Sequence, residues 1–314
     1  MFGTTSSTRY AKFAWGILGF NVLVILWGAV VRATGSGAGC GSHWPLCNGA
    51  VLPRGPEAAT IIEFAHRVSS GLAALLVLAL IAGAWRAFPR GHRVRSAAVW
   101  SGLFMLSEAL IGAALVLLEL VAQNTSSARG LWVAGHLVNT LLLLAALALT
   151  AWWASGGPAI AVHRQGVLPL LIAASLGGVL VLGMSGAVTA LGDTLFPAAS
   201  LAEGKAQTFS ATAHLFVRLR LWHPVLAVVF GSVLLITAAA AAAARASAGR
   251  RALAIALVGL YVAQLLIGVV NVWYLAPTAV QIVHLLFADL VWIALVLLAA
   301  SALAADEDTA VAAR

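Results

Sequence analysis

The stretch FAWGILGFNVLVILWGAVV, residues 13–31, carries no charged side chain over nineteen positions. Arg9 and Lys12 precede it, as the basic residues of a signal peptide would. The run is longer than the apolar core of a signal peptide, and no small-residue cleavage site follows it. About 20 apolar residues cross the hydrocarbon core of a bilayer as an α-helix. The stretch therefore predicts a first membrane-spanning helix.

Seven further apolar runs follow the first and define the predicted fold. The eight runs lie at about 13–32, 60–85, 97–120, 131–154, 167–190, 215–244, 252–275 and 279–304. The chain is 62% hydrophobic and 9% charged, whereas soluble domains are usually about 25% charged. A soluble fold of this size cannot bury so much apolar side chain. We therefore predict an all-α integral membrane protein with eight transmembrane helices.

The charges predict how the helices are oriented. The net charge is +8, but Lys and Arg are spread singly over the connecting segments, with no basic stripe for nucleic acid. If the N-terminus is cytoplasmic, eleven of the 18 cations face the cytoplasm, as the positive-inside rule favours. The eleven are Arg9, Lys12, Arg86, Arg90, Arg93, Arg95, Arg164, Arg245, Arg250, Arg251 and Arg314. Both termini are then cytoplasmic, and the loops at about 33–59 and 191–214 lie outside.

The chain has two cysteines, Cys40 and Cys47, and both fall in the first of these outer loops. Proteins exposed to an oxidising compartment outside the plasma membrane keep disulfides, whereas cytosolic proteins rarely do. With this topology, we predict that the two cysteines form a disulfide that closes a short loop.

The two halves of the chain repeat each other at offsets of 148 to 158 residues. The matching segments are Gly28–Val31 with Gly186–Thr189, Leu110–Gly112 with Leu266–Gly268, His66 with His223, and His136 with His284. Because each half has four spans, both halves run in the same direction through the membrane. We predict two pseudo-symmetric four-helix bundles, residues 1–160 and 161–314.

Four of the eight histidines lie at the outer ends of the even-numbered spans, one pair in each half. They are His66, His136, His223 and His284, whereas we expect His43, His92, His163 and His214 in solvent at loops. A single helix histidine usually bonds to a neighbouring helix, but ionisable groups repeated at one depth indicate a functional site. Two imidazoles facing each other across a bundle are the axial ligands of a six-coordinate haem. Zinc and di-iron sites fit less well, because each needs more ligands close together.

One carboxylate distinguishes the halves. Glu63 lies three residues before His66 on the same helical face, and Arg220 takes its place in the second half. A carboxylate beside one haem suits chemistry, and a site without it suits electron storage. The alternative for Glu63 is an interfacial ion pair with Arg67 or Arg54.

Other polar residues near the spans allow two interpretations each. Arg67, Arg218 and Arg220 can bind haem propionates through charge-assisted bonds or simply anchor the outer helix ends. Glu108 and Asp289 lie inside spans, and we favour bridges between helices for both over a proton path.

Three segments resemble the haem A synthase family. Cys40–Gly49 resembles the first outer loop of that family, and the flanking Val31–Gly37 and Glu63–Arg67 resemble its neighbouring motifs. With the histidines of the fourth, sixth and eighth spans, the resemblance extends over nearly the whole chain. It implies oxidation of the C8 methyl of haem O to the formyl group of haem A, for assembly of cytochrome oxidase.

The resemblance also implies roles for individual residues. A haem b cofactor is expected on His223 and His284, with His214 as a rival to His223. Haem O is expected between His66 and His136, with Glu63 close to the reacting methyl. A haem O synthase is the expected delivery partner, and the electron acceptor is open. Without an amino-terminal extension, the chain is expected in a bacterial plasma membrane.

Two other functions fit parts of the pattern. A di-haem b-type electron carrier, as in a quinol oxidoreductase, would also use two histidine pairs, but it needs neither Glu63 nor the Cys40–Cys47 loop. A duplicated transporter is the third possibility, although transporters bind their substrates on broken helices near the midplane. The synthase is therefore the preferred prediction.

Overall fold

The computed structural model describes residues 4–162, 165–244 and 247–304, and this part of the chain is helical. Its helices are α1 (Thr4–Ala33), α2 (Ala58–Ala87), α3 (Arg93–Leu117), α4 (Ser127–Ala154), α5 (Leu168–Leu195), α6 (Leu201–Phe209), α7 (Leu215–Ala243), α8 (Ala248–Trp273) and α9 (Thr278–Ala302). All but α6 are long and apolar enough to cross a membrane, which gives the eight predicted spans. The predictions for His163, Arg164, Arg245 and Arg314 fall outside the described residues.

The helix ends differ from the predicted ends by up to nine residues, or about two and a half turns. Helix α1 begins at Thr4 rather than near residue 13, and α3 ends at Leu117 rather than near 120. Polar residues flank the apolar runs, and because the backbone hydrogen bonds continue through them, hydropathy alone does not mark where a helix begins.

The loop predicted at 191–214 is wrong in one respect, because it contains α6. The Ser200 side chain accepts a hydrogen bond from the Glu203 backbone N–H at 3.2 Å, and the Glu203 carboxylate accepts one from the Ala199 N–H at 2.9 Å. Such reciprocal capping by Ser and by Glu three residues later stabilises a helix N-terminus. The sequence Ser-x-x-Glu carried this signal, and it was missed because the segment lacks an apolar run.

The two halves of the chain share one hydrophobic core. Helix α4 packs against α9 and α5, and α1 against α9. Leu144 and Leu147 of α4 are fully buried in the same cluster as Leu295 and Leu298 of α9. A hydrogen bond also joins α9 to α4, because the Trp292 indole N–H donates to the Leu141 carbonyl at 2.6 Å.

Arg32, near the C-terminal end of α1, joins the first half to the second. Its guanidinium donates to the Ala190 carbonyl at 2.7 Å and to the Thr194 hydroxyl at 2.8 Å, both on α5. It also donates to the Gln281 side-chain oxygen on α9 at 2.7 Å. These bonds fix the C-terminal ends of α1 and α5 relative to the first turn of α9.

Candidate functional site

His223 on α7 and His284 on α9 face each other in the second half. Their ring centroids lie 6.5 Å apart, and the ring planes are inclined by 77°. Metal–imidazole bonds of about 2.0 Å, with about 1.1 Å from nitrogen to ring centre, place the centroids of an axial pair roughly 6 Å apart. The two rings therefore have the spacing that one six-coordinate iron requires.

Neighbouring helices hold these two rings in place. The Ser185 hydroxyl on α5 lies 2.9 Å from His223 Nδ1. On the other side, the side-chain nitrogen of Gln264 on α8 lies 3.3 Å from His284 Nε2, a contact that a metal on that nitrogen would replace. His284 Nδ1 is buried and has no hydrogen-bond partner.

His66 on α2 and His136 on α4 are the corresponding histidines of the first half. Nδ1 of each ring is buried without a hydrogen-bond partner among the described residues. Glu108 on α3 places Oε1 at 3.6 Å from His136 Nε2. The same carboxylate accepts hydrogen bonds from Asn139 and Thr140 on α4. Glu108 therefore bridges α3 and α4, in agreement with the interpretation favoured from the sequence.

Each of the four imidazoles packs against a glycine on a neighbouring helix. A Cβ atom added to the glycine would meet the ring at 3.0 Å for Gly28 with His66, 3.9 Å for Gly112 with His136, 2.9 Å for Gly186 with His223 and 3.2 Å for Gly268 with His284. These are the glycines of the two motifs that repeat between the halves. The repeated sequence thus corresponds to a repeated contact.

The spacing of His223 and His284 fits a haem between them. Among the described residues, no group of three or more His, Cys, Asp or Glu side chains could hold a metal ion. Two imidazoles would fill two positions of a six-coordinate iron, and a porphyrin would supply the other four. The buried nitrogens without partners and the glycines beside the rings suit that arrangement.

The loop between α1 and α2 contains the predicted disulfide between Cys40 and Cys47. Glu63, which is only 3% exposed, accepts hydrogen bonds from the Cys40 backbone N–H at 2.8 Å and from Arg67 at 2.5 Å. Arg67 also donates to the carbonyls of His43 and Leu46, each at 2.7 Å. Glu63 and Arg67 therefore fasten this loop, which we call the Cys loop (residues 40–47), to α2.

The arginines of the second half are also engaged with outer loops. Arg220 bonds to the Asp193 carboxylate at 2.6 Å and to the Phe196 carbonyl at 2.7 Å. Arg218 donates to the Ala211 carbonyl at 2.6 Å. Contacts of Arg67, Arg218 or Arg220 with haem propionates remain a prediction.

Two histidines expected in solvent are half-buried helix caps instead. His214 Nδ1 accepts from the Phe216 N–H at 3.3 Å at the start of α7, and its ring packs against Phe196. His92 caps α3 in the same way, through the Val94 N–H at 3.3 Å. A neutral imidazole nitrogen can accept a backbone hydrogen bond, which explains both positions.

The structure adds residues that the sequence analysis missed, and it leaves one unexplained. Gln264 follows Glu108 by 156 residues, the offset of the repeated Leu-Ile-Gly motif, so the repeat itself pointed to it. Ser185 gave no such signal. Asp289 is fully buried and has no hydrogen-bond partner among the described residues, where it does not form the helix bridge that we expected.

Comparison with known proteins gives one family and two groups of relatives. The model of the family described as "Cytochrome oxidase assembly protein" (COX15-CtaA) matches residues 11–296. Proteins named protoheme IX farnesyltransferase from two strains of Thermus thermophilus are 52% and 51% identical to this chain over 300 residues. That match covers 96% of this chain and 49% of each relative, so the chain spans about half their length.

The second group consists of proteins named heme A synthase. The one from Bacillus mycoides is 41% identical over 109 residues, which is 34% of this chain and 35% of that protein. One from Bacillus cereus is 40% identical over the same length.

Proposed function

The chain belongs to the cytochrome oxidase assembly protein family COX15-CtaA, and from that premise we propose that it is a haem A synthase. In this proposal it is an oxidoreductase that converts the C8 methyl of haem O to the formyl group of haem A. Each of two hydroxylations replaces one C–H hydrogen of the methyl by a hydroxyl group and withdraws two electrons, which pass to an electron acceptor outside this chain. The resulting gem-diol loses water to give the formyl group. The named heme A synthases from Bacillus support the proposal through their similarity to part of the chain.

The difference between the two histidine pairs is the observation that carries this proposal. Both halves offer two imidazoles, but in the first half Glu108 lies 3.6 Å from His136 and Glu63 lies about one helical turn before His66. Arg220 and Gln264 occupy the corresponding positions in the second half. One pocket is thus equipped for proton chemistry, and the other is suited to hold a permanent redox group.

We assign the cofactor to the second half and the substrate to the first. His223 and His284 would hold haem b, which supplies reversible one-electron transfer when bound. His66 and His136 would hold haem O. Each oxidation of the methyl releases protons, and Glu63, one turn outward from His66, is the proposed catalytic carboxylate that accepts them or stabilises developing positive charge.

The farnesyltransferase name of the Thermus relatives suggests where haem O comes from. Those relatives are about twice as long as the segment matched here. Haem O differs from protohaem by a farnesyl-derived side chain, so an enzyme of that class must act first. We propose that haem O synthase delivers haem O through the membrane. The proposed location is a bacterial plasma membrane, with the Cys loop extracytoplasmic and both termini cytoplasmic.

The variant Glu63→Gln tests the proposal. In membranes supplied with haem O, we expect haem O or a hydroxylated intermediate to accumulate while both haem sites stay filled, as measured by pigment extraction and mass analysis. A di-haem b-type carrier would instead keep its electron transfer and would not oxidise haem O. Haem A formation at the wild-type rate in Glu63→Gln would contradict the catalytic role.

A control is needed because Glu63 also fastens the Cys loop. The Thr60 hydroxyl donates to the Gly39 carbonyl at 2.7 Å and fastens the residue directly before the Cys loop to α2 without a carboxylate. Thr60→Val should therefore loosen the loop and leave haem A formation nearly unchanged. An equal block in both variants would assign the effect of Glu63→Gln to the loop.

A further inference from the structure

Glu108 and Gln264 contact equivalent histidines with different chemistry. They are separated by 156 residues, as are the Gly112 and Gly268 that follow each of them by four positions. Glu108 Oε1 lies 3.6 Å from His136 Nε2, and the Gln264 side-chain nitrogen lies 3.3 Å from His284 Nε2. The halves therefore present a carboxylate to one imidazole and an amide to the other.

The two groups favour different states of the imidazole nitrogen. A carboxylate only accepts hydrogen bonds, so Glu108 favours a proton on the Nε2 of His136 that faces it. The amide nitrogen of Gln264 only donates, so it favours a free lone pair on His284 Nε2. Only a nitrogen with a free lone pair can bind iron. Iron on His284 Nε2 would thus replace a neutral amide contact, whereas iron on His136 Nε2 would replace a contact with a carboxylate.

The His136 ring also has more free space beside it than the other three imidazole rings have. A Cβ atom at Gly112 would be in ordinary contact with His136 at 3.9 Å, whereas one at Gly28, Gly186 or Gly268 would approach its ring within 3.2 Å. The His136 side chain is also 31% exposed. His136 therefore has room to move.

Glu108 itself is fixed. Its two carboxylate oxygens accept hydrogen bonds from Asn139 and Thr140, which lie three and four residues after His136 on α4. When the His136 imidazole leaves the iron, it can donate a hydrogen bond to the Glu108 carboxylate, which these contacts hold in one position. Charge-assisted hydrogen bonds are about twice as strong as neutral ones.

We infer that His136 is an exchangeable axial ligand, which moves between the iron of the first-half haem and the Glu108 carboxylate. This inference rests on the proposed function, in which the first half takes up haem O and releases haem A. Release of His136 opens one side of the first pocket for that exchange. His223 and His284, held by Ser185 and by close glycines, keep the second haem in place.

A reciprocal exchange of the two side chains tests the inference without measuring activity. The full chain is loaded with iron protoporphyrin IX in both pockets, and transfer to excess apomyoglobin is followed by absorbance. Wild type should lose haem in a fast and a slow phase. Glu108→Gln should slow the fast phase by roughly tenfold, since one charge-assisted bond is worth about 1.4 kcal/mol more than a neutral one. Gln264→Glu should accelerate the slow phase.

A second variant guards against misfolding of Glu108→Gln. Gly112→Ala keeps Glu108 and fills the gap behind the His136 ring, so it should also slow the fast phase. Gly71→Ala is its matched control, because a Cβ atom there meets nothing within 4 Å. Electron paramagnetic resonance of the ferric protein should show a larger low-spin fraction in Glu108→Gln and Gly112→Ala than in wild type.

The outcomes separate this inference from the proposed function. An unchanged fast phase in Gly112→Ala, and in Glu108→Gln if it folds, would overturn the exchange of His136. Normal haem A formation by Glu63→Gln would count against the proposed catalysis and would leave the two-phase haem transfer untouched. If wild type released all of its haem to apomyoglobin in a single slow phase, the exchange of His136 would be overturned. The measurement of haem A formation would still test the proposed function.

Discussion

At the scale of single residues, the distance between an imidazole and the helix behind it is set by a glycine. The ring of His223 lies so close to Gly186 that a Cβ atom there would stand 2.9 Å from its Cε1 atom. Contacts this short are repulsive, so only glycine permits the observed ring position. The glycine acts through the histidine and is therefore a positioning residue.

Gly186→Ala is expected to displace the His223 ring and to weaken the proposed haem b site. Overpacking of this kind costs about 1–3 kcal/mol. The haem content of the purified protein should fall, and the remaining ferric haem should show a high-spin fraction by electron paramagnetic resonance. Gly259→Ala on α8, where a Cβ atom meets nothing within 4 Å, is the control. A fully low-spin spectrum with full haem content in Gly186→Ala would refute the positioning role.

At the scale of elements, each half ties an outer loop to a helix at the same repeat position. Glu63 of α2 binds the Cys loop through the Cys40 N–H. Arg220 of α7 binds the segment after α5 through the Phe196 carbonyl. An acidic and a basic side chain can thus both hold a loop against a helix. A loop backbone offers N–H groups that a carboxylate accepts from and carbonyl groups that a guanidinium donates to.

Removal of the disulfide should loosen the Cys loop but leave the spans intact. In the chain-entropy model, closure of a loop of eight residues is worth about 2.5 kcal/mol. Cys40→Ser combined with Cys47→Ser should therefore raise amide hydrogen exchange over residues 40–49 and leave exchange in α2 unchanged beyond its first turn. Exchange at wild-type rates in the loop would show that Glu63 and Arg67 suffice to hold it.

The start of α3 should depend on pH through His92. Burial lowers the pKa of His92 below its ordinary value, and the positive charges of Arg93 and Arg95 lower it further. Its contribution to stability is complete above the ordinary pKa of about 6.5 and is lost as the pH falls through the lowered folded pKa. Amide exchange at residues 93–96, corrected for intrinsic rates, should rise between pH 7.5 and 5.

His92→Asn provides the comparison for this prediction. Asparagine caps a helix N-terminus well and does not titrate in this range. The variant should show the same protection of residues 93–96 at both pH values. An equal loss of protection in wild type and in the variant would exclude His92 as the titrating group.

At the scale of the whole molecule, the two halves behave as one folded unit. They share a core between α4 and α9, and Arg32 adds three hydrogen bonds from α1 to α5 and α9. Such bonds are effective inside a membrane, where water cannot replace a lost partner. Arg32 therefore couples the outer ends of both halves.

Arg32→Gln should destabilise both halves together. Hydrogen bonds between membrane helices average about 0.6 kcal/mol, so the loss of three amounts to roughly 2 kcal/mol. The thermal unfolding of the detergent-solubilised protein should remain a single transition at a lower Tm. Arg54→Gln changes the same charge at an exposed outer-loop position and should leave the Tm unchanged. Two separate transitions in Arg32→Gln would show that the halves unfold independently.

Much of this architecture follows from the sequence alone. Lipid leaves backbone groups no partner except each other, so an uncharged run such as residues 13–31 has to form a helix. The eight spans and the Cys40–Cys47 disulfide were predictable on these grounds. The pairing of His223 with His284 was expected from the repeat, because histidines recur at matching spans of the two halves. The short helix α6 could have been recognised from its Ser200–Glu203 cap.

The tertiary structure decided what each polar group contacts. Glu63 could pair with Arg67 or Arg54 as far as the sequence goes, and only the folded loop brings the Cys40 N–H to its second oxygen. The contacts of Glu108 with His136 and of Gln264 with His284 join different helices. Such contacts depend on the rotation of each helix about its axis and on its depth beside its neighbour, and side-chain packing across the whole bundle sets both.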